Sequence, residues 1–386
     1  MRRLFRPFMT PSPDAERGQV LVIVVAGLLA MVLMVGLVID VGYAWGQQRD
    51  SQNASDSAAE AGAAVMAANL PYFLAGEALP NKNSDVAAAI NSTITANDVT
   101  IEEAWYTDFD GDRVGGAPLI GPSALAPGSD PPADADGVEV TSFKDFDTFI
   151  GGAIGISQMT AQTKATAISG LADSFSTGVL PVTFPLTITT CTGSNKVFLD
   201  PAALQWSPDT DYLVPLCSAD PGNVGWLDWT PTAGGTSELI DAINNPGAPF
   251  DIVTPEWYFV SQTGNVSSSG VQDALMQYAP GDQVVIIPIF DTTCDTDPGD
   301  GDDLCTTGSG HGSNQWYHLR GWAGFDIEWV DLNGGAGLCG SGNGSTGCFK
   351  GQFRYFGGLP SGTLKEATGS EDALFSIPSV NLIDSK

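Results

Sequence analysis

Two acidic runs carry the side chains whose type and spacing come nearest to chemistry. Asp295, Asp297, Asp300, Asp302 and Asp303 crowd into one stretch flanked by Cys294 and Cys305. Five carboxylates held that close repel one another unless a cation or abundant water relieves them, and hard oxygen ligands of this kind suit calcium. A solvated acidic loop is the competing reading. The second run, Asp108-x-Asp110-Gly111-Asp112, opens like an oxygen-ligand loop. It then departs, with Arg113 where a glycine would follow and Leu119 where a closing glutamate would stand. Calcium at the first run is therefore the one cofactor the sequence suggests.

Other chemistries find little support. G-x-S-x-G, H-E-x-x-H and a phosphate-cradling glycine loop are absent. The only histidines, His311 and His318, sit in or beside the Gly/Ser-rich run Asp303 to Asn314, and no carboxylate pair stands out for glycoside cleavage. The expectation is a protein that is not an enzyme. Six cysteines, Cys191, Cys217, Cys294, Cys305, Cys339 and Cys348, lie in the second half or, for Cys191, at its border, with no C-x-x-C spacing, which disfavours zinc and favours disulfides. Of the fifteen possible pairings, the sequential set 191–217, 294–305 and 339–348 closes the shortest loops. Trp206, Trp226, Trp229, Trp257, Trp316, Trp322 and Trp329 fall in the same half. Exposed in a row they would stack on sugar rings; buried, they would serve a core, which is the commoner use of tryptophan.

The element that must position all of this is a run of twenty residues, Val20 to Ile39, without a charge or strong polar group. As a helix it covers about 30 Å, the hydrocarbon thickness of a bilayer. Arg2, Arg3, Arg6 and Arg17 precede it and only Arg49 follows closely, so the N-terminus is expected on the cytoplasmic side. A cleaved signal sequence ending at Gly42-Tyr43-Ala44 is the alternative, but twenty apolar residues exceed the usual ~7–15 of a signal core. Beyond the span, Ala54, Ala58, Ala61, Gly62 and Val65 recur at helical spacing, and Gly42-x-x-x-Gly46 and Ala26-x-x-x-Ala30 offer the same small-residue surface. Gly42, Gly46, Ala54, Ala58, Ala61 and Gly62 are thus candidate helix-packing positions. If the glycines do not break it, the helix is one rod of about fifty residues, roughly 75 Å long, ended by Pro71.

The order Arg17-Gly18-Gln19, apolar span, Ile39-Asp40-Val41-Gly42-Tyr43, then Gln52-Asn53-Ala54-Ser55-Asp56-Ser57-Ala58-Ala59-Glu60-Ala61-Gly62-Ala63 resembles the N-terminal segment of Flp pilus-assembly proteins, the TadE/TadG-like proteins of the tight-adherence system. The resemblance covers some fifty residues. It implies a single-pass protein of a bacterial cell membrane, with its C-terminal part outside the cytoplasm and other pilus-assembly or pilin-like subunits as partners. Members processed like prepilins carry a glutamate five residues after the cleaved glycine; here that position is Ile23. The D-x-S-x-S metal motif of some TadG proteins is also missing, since Asp173-Ser174-Phe175-Ser176 has the wrong spacing. A surface adhesin or glycan-binding envelope protein using the same anchor is the alternative function.

The chain carries a net charge of −30. Such a surface repels nucleic acid and disfavours adhesion to anionic lipid, while favouring solubility and divalent cations. Along the chain the reading is a cytoplasmic tail at 1–18, a transmembrane helix at 19–43 and an exported alanine-rich helix at 44–70. A small pilin-like α+β module at 71–170 and a β-rich, sandwich-like outer domain at 171–386 follow, α+β in sum. Within the module, Ser84 or Asp85 caps a helix over Val86, Ala87, Ile90 and Ile94; strands run over Val99–Tyr106, Val138–Phe143 and Met159–Ile168; and a short helix covers Phe146 to Ile154. In the outer domain short strands are expected at 180–189, 212–217, 257–260, 283–291, 317–329 and 348–356, with one clear helix over 237–244.

Overall fold

The computed structural model describes residues 13–186, 206–216, 226–227, 229, 235–260, 268–279, 283–294, 299, 315–332, 347–355, 363–369 and 373–383. The apolar run and the alanine-rich run form one uninterrupted helix, α1 (Pro13–Ala67), of 55 residues. At 1.5 Å per residue it is about 80 Å long. An 18-residue window within it reaches a mean hydropathy of 3.1 with only 6% of the window buried. By length and composition this part can cross a membrane.

The second half of α1 lies along a sheet. After a short helix α2 (Leu70–Leu74) comes α3 (Asn83–Ala96), whose first turn is closed by the Asp85 carboxylate accepting the Lys82 N–H at 2.7 Å. Strands β1 (Thr100–Thr107), β2 (Gly137–Asp147) and β3 (Gln158–Ala172) then form an antiparallel meander. Ala58, Ala59, Ala63 and Met66 of α1 meet Val86, Ile90 and Ile94 of α3 over Tyr106, Val138, Val140, Ala165 and Ala167 of the sheet. Alanine brings the helix backbone close to the strands, and bulkier aliphatics on α3 and β2 fill the wedge between them.

The short helix expected over Phe146 to Ile154 does not form. Phe146 and Asp147 continue β2 and pair with Met159 and Gln158, leaving only a 3-10 turn at Gly151–Ile154. The adjacent Gly151 and Gly152 after β-branched Ile150 favour a hairpin tip over a helix.

Past β3 the chain builds β4 (Ser174–Thr177), β5 (Phe184–Pro185), β6 (Asp211–Leu216), α4 (Thr236–Asn244), β7 (Gly247–Val253), β8 (Glu256–Val260), α5 (Ser269–Met276), β9 (Val284–Cys294), β10 (Gln315–Asp331) and β11 (Gly347–Arg354). A six-stranded sheet runs β5-β9-β10-β11-β6, with β8 also paired to β10. Both faces are buried. Val285, Ile287 and Ile289 face a core completed by Leu239 and Ile243 of α4 and Val271 and Leu275 of α5. Ile286 and Phe290 face the opposite core with Phe175 of β4 and Ile252 of β7. Burial on both sides explains why β9 reads as a continuous apolar run. The layers facing this sheet are two helices and the two-stranded β4-β7 ribbon, rather than the second full sheet of a sandwich. Helix α5 is not among the elements expected from the sequence; its cap is Ser268, whose hydroxyl accepts the Val271 N–H at 3.3 Å.

The chain then returns. Strands β12 (Leu364–Lys365) and β13 (Pro378–Ile383) pair with the C-terminal half of β3, so the module beside α1 is completed by residues from the far end of the sequence. Ending the chain before Pro378 would strip that edge from β3. Amide hydrogen exchange at 166–171 is expected to accelerate, while pairing between β9 and β10 keeps its protection; unchanged exchange at 166–171 would refute this role for β13.

Candidate functional site at the end of the apolar span

Three groups of residues fix the long helix to the body, and the first is made of hydroxyls. Ser51, Ser55, Ser142 and Thr163 are all buried between α1 and the sheet. Ser55 Oγ lies 2.7 Å from Ser142 Oγ and 2.8 Å from Thr163 Oγ1, and Thr163 Oγ1 donates to the Ser51 carbonyl at 3.1 Å. Each hydroxyl has a partner, so burial costs little and the contact acquires a fixed register. The second group caps an edge. Gln48 Nε2 donates to the Gln162 carbonyl at 2.9 Å and Gln52 Nε2 to that of Lys164 at 3.2 Å, engaging β3 carbonyls on the stretch that β13 does not reach.

The third group is the Asp40 clasp. One residue past the apolar run, the Asp40 carboxylate is 8% exposed and accepts backbone N–H groups from the β2–β3 hairpin tip. Phe149 N donates to Oδ1 at 2.7 Å, Ile150 N to Oδ2 at 3.1 Å and Gly151 N to Oδ2 at 2.6 Å. Tyr43, one turn on, packs edge-to-face on Phe146 and Phe149 at 5.5 and 5.2 Å. Gly36, one turn back, receives Ile150: a Cβ at Gly36 would stand 2.5 Å from Ile150 Cδ1. Glycine is required there because the hairpin lies directly on the helix. The sequence reading used Asp40 as a motif residue and missed its partners. The available signal was the uncharged ten-residue stretch 148–157 between two strands.

The candidate packing residues divide. Ala54, Ala58 and Gly62 are buried against the protein's own sheet and α3, with Ile90 Cγ1 2.9 Å from where a Gly62 Cβ would be, and Ala61 is half-buried. Gly42 and Gly46 have nothing within 4 Å of a Cβ position, and neither has Gly27 inside the span. The stripe beyond Ser51 is thus used within the chain, and Gly27, Gly42 and Gly46 before it remain open.

The acidic loops fare differently. Asp295, Asp297, Asp300, Asp302 and Asp303 lie outside the described residues, as does His311. No group of three or more His, Cys, Asp or Glu side chains able to hold a metal occurs among the described residues. The Asp108 carboxylate closes its own turn, accepting the N–H groups of Asp110 at 3.1 Å and Asp112 at 2.8 Å. Arg113, which breaks the oxygen-ligand pattern, reaches across the sheet to Glu103 at 2.6 Å and buried Glu139 at 2.5 Å, and stacks 4.8 Å over Trp105. His318 is 5% exposed on β10, with Nδ1 2.6 Å from Asp291 Oδ1 and its ring against Trp257. Of the seven tryptophans read as possible sugar platforms, Trp206, Trp226, Trp229, Trp257 and Trp322 are buried and Trp316 and Trp329 half-buried, so they do not form an exposed row.

Cys294 and Cys348 are buried and disulfide-bonded. They pair with Trp316 and Asp331, at opposite ends of β10, which places them too far apart to bond each other. Cys191, Cys217, Cys305 and Cys339 lie outside the described residues, so the described structure does not support the sequential pairing expected above.

A cleft of about 370 Å3 opens where α1 turns into α2, walled by Met66, Leu70 and Phe73 and rimmed by Asp108, Asp134, Asp136 and Glu366. Burial, then the charges of Glu366, Asp108 and Asp134, push the Asp136 carboxyl up to about 6, against one lowering bond from the Phe109 backbone. Between the ordinary value of 3.8 and about 6 the folded protein therefore binds more protons than the unfolded chain. Its contribution to stability is full below pH 3.8 and is lost as pH rises through 6. Asp136→Asn should raise stability at pH 7 by about 1 kcal/mol after allowance for solvent screening, and flatten the slope of melting temperature against pH in that window. Asp40→Ala leaves three N–H groups without their acceptor and should cost about 2–4 kcal/mol locally, read as accelerated exchange at Phe149, Ile150 and Gly151 with β9–β10 unaffected.

Residues 18–65 match the family model for Tad, Flp pilus-assembly TadE/G-like proteins. No curated protein and no solved structure matches the chain. The matched stretch takes in the apolar span, Asp40, the open Gly27, Gly42 and Gly46 and the buried small-residue face, so the N-terminal segment of this protein is similar to the TadE/G-like Flp pilus-assembly family over residues 18–65.

Proposed function

We propose that this protein is a membrane-anchored component of a Tad/Flp-type pilus system, acting through helix packing and surface contact rather than catalysis. The observation that carries this reading is the division of α1. Its second half is sealed onto the body by buried alanines, hydroxyls and the Asp40 clasp, while Val20 to Ile39 stays exposed along its length except at Gly36. An isolated apolar rod of that length is stable only in lipid or against other apolar helices. The arginines at 2, 3, 6 and 17 support a cytoplasmic N-terminus with the body on the other side.

Within the bilayer plane, association depends on close backbone approach rather than on hydrophobicity. Gly27, with Ala26 and Ala30 beside it, and the Gly42-x-x-x-Gly46 face supply surfaces for another helix, the partner being a pilus-assembly or pilin-like subunit. Because the body is clasped at the edge of the span, a partner that grips the helix also sets the position of the body. The role is anchoring, assembly or incorporation as a minor subunit. Deleting the gene should abolish or deplete surface pili. The full chain should restore them, and a soluble body beginning at Trp45 should not. Normal pili in the deletion strain, or rescue by the soluble body, would overturn the reading.

A further inference from the structure

We propose that the β2–β3 hairpin tip, residues 148–157, is a second membrane contact that lies in the bilayer interface beside α1. The proposal rests on α1 crossing the bilayer and adds a site to that reading. Ile150 sits over Gly36, three residues inside the end of the apolar run, or about 4.5 Å below it along the helix axis. The tip is thus held at the depth where interfacial segments bury their apolar side chains, about 5–10 Å into the headgroup boundary.

Composition and exposure agree with that depth. From Thr148 to Ser157 there is no charged residue, in a chain of net charge −30. Phe149 is 67% exposed and Ile156 53%, with Met159 just past the tip at 40%, large apolar groups left mostly open among the described residues although Tyr43 packs on one edge of Phe149. Trp45, 72% exposed, and Tyr43 stand just beyond on α1, where amphipathic rings favour the headgroup level.

Most of the tip's backbone N–H groups have partners inside the protein. Irregular chain is tolerated at membrane depth only when its polar groups find internal partners. Here the N–H groups of Phe149, Ile150 and Gly151 go to Asp40. Those of Thr148, Ala153, Gly155 and Ile156 go to the carbonyls of Ser157, Ile150, Gly152 and Gly151. The Thr148 hydroxyl donates to the Ile156 carbonyl at 2.5 Å. Seven of the ten N–H groups of the tip are thus paired within the protein. The flanking Asp145 and Asp147 select a zwitterionic rather than an anionic surface.

The test places a single nitrobenzoxadiazole label on Ala153→Cys, Leu33→Cys or Asp110→Cys of the full chain in phosphatidylcholine vesicles, with doxyl-phosphatidylcholine and iodide as quenchers. The expected result is lipid quenching at 153 within about twofold of that at 33, and iodide quenching alone at 110. Iodide quenching alone at 153, with 33 still quenched by lipid, overturns the proposal and leaves the anchor standing. A label at 153 shielded from both quenchers assigns the tip to a second copy or another protein and also overturns it. Absence of lipid quenching at 33 overturns the anchor itself, and the proposal with it.

Discussion

The structure depends on how closely one helix can approach one sheet. Ala54, Ala58, Ala59, Gly62 and Ala63 present almost no side-chain thickness, so α1 settles directly on β2 and β3, and Ser51 and Ser55 reach hydroxyl partners on those strands. Larger residues on that face would lift the helix and leave the hydroxyls buried without partners, a loss compounded by overpacking. The position of everything downstream follows, because α3, the hairpin tip and the cleft are all referred to this contact.

Much of this was legible from residue patterns. A twenty-residue apolar run has few interpretations, and alternation, apolar runs and turn residues between them place β1, β2, β3, β6, β8, β9, β10 and β11 within a few residues of where they lie. The small-residue stripe was legible as a packing face but not as to what it packs against: periodicity states that a face is buried, never by whom. Gly42 and Gly46 looked equivalent to Ala54 and Ala58, yet only the latter pair meets the sheet.

What the sequence hid was non-local. Asp40 and the 149–151 backbone are more than a hundred residues apart, and backbone donors leave no trace in side-chain identity. The helix expected over Phe146 to Ile154 gives way to a hairpin tip because β2 runs on past Phe143 to Asp147. Arg113 looked like damage to a calcium loop, whereas it is the residue that ties that loop to Glu103 and Glu139. Burial on both faces of β9 was apparent, but the helices and ribbon that cover it could not be told from the partner sheet of a sandwich.

The topology has a temporal side. Strand β13 lies against β3, although about two hundred residues separate them along the chain. While the polypeptide is being made, α1, α3 and the first three strands emerge early, and β3 must wait with one flank bare until Pro378–Ile383 leave the ribosome. The intervening domain is in effect an insertion in a sheet that stays unfinished throughout its synthesis. A chain released before Pro378 therefore exposes a sticky edge beside α1, a mark by which cellular proteolysis can distinguish it from a chain that carries β13.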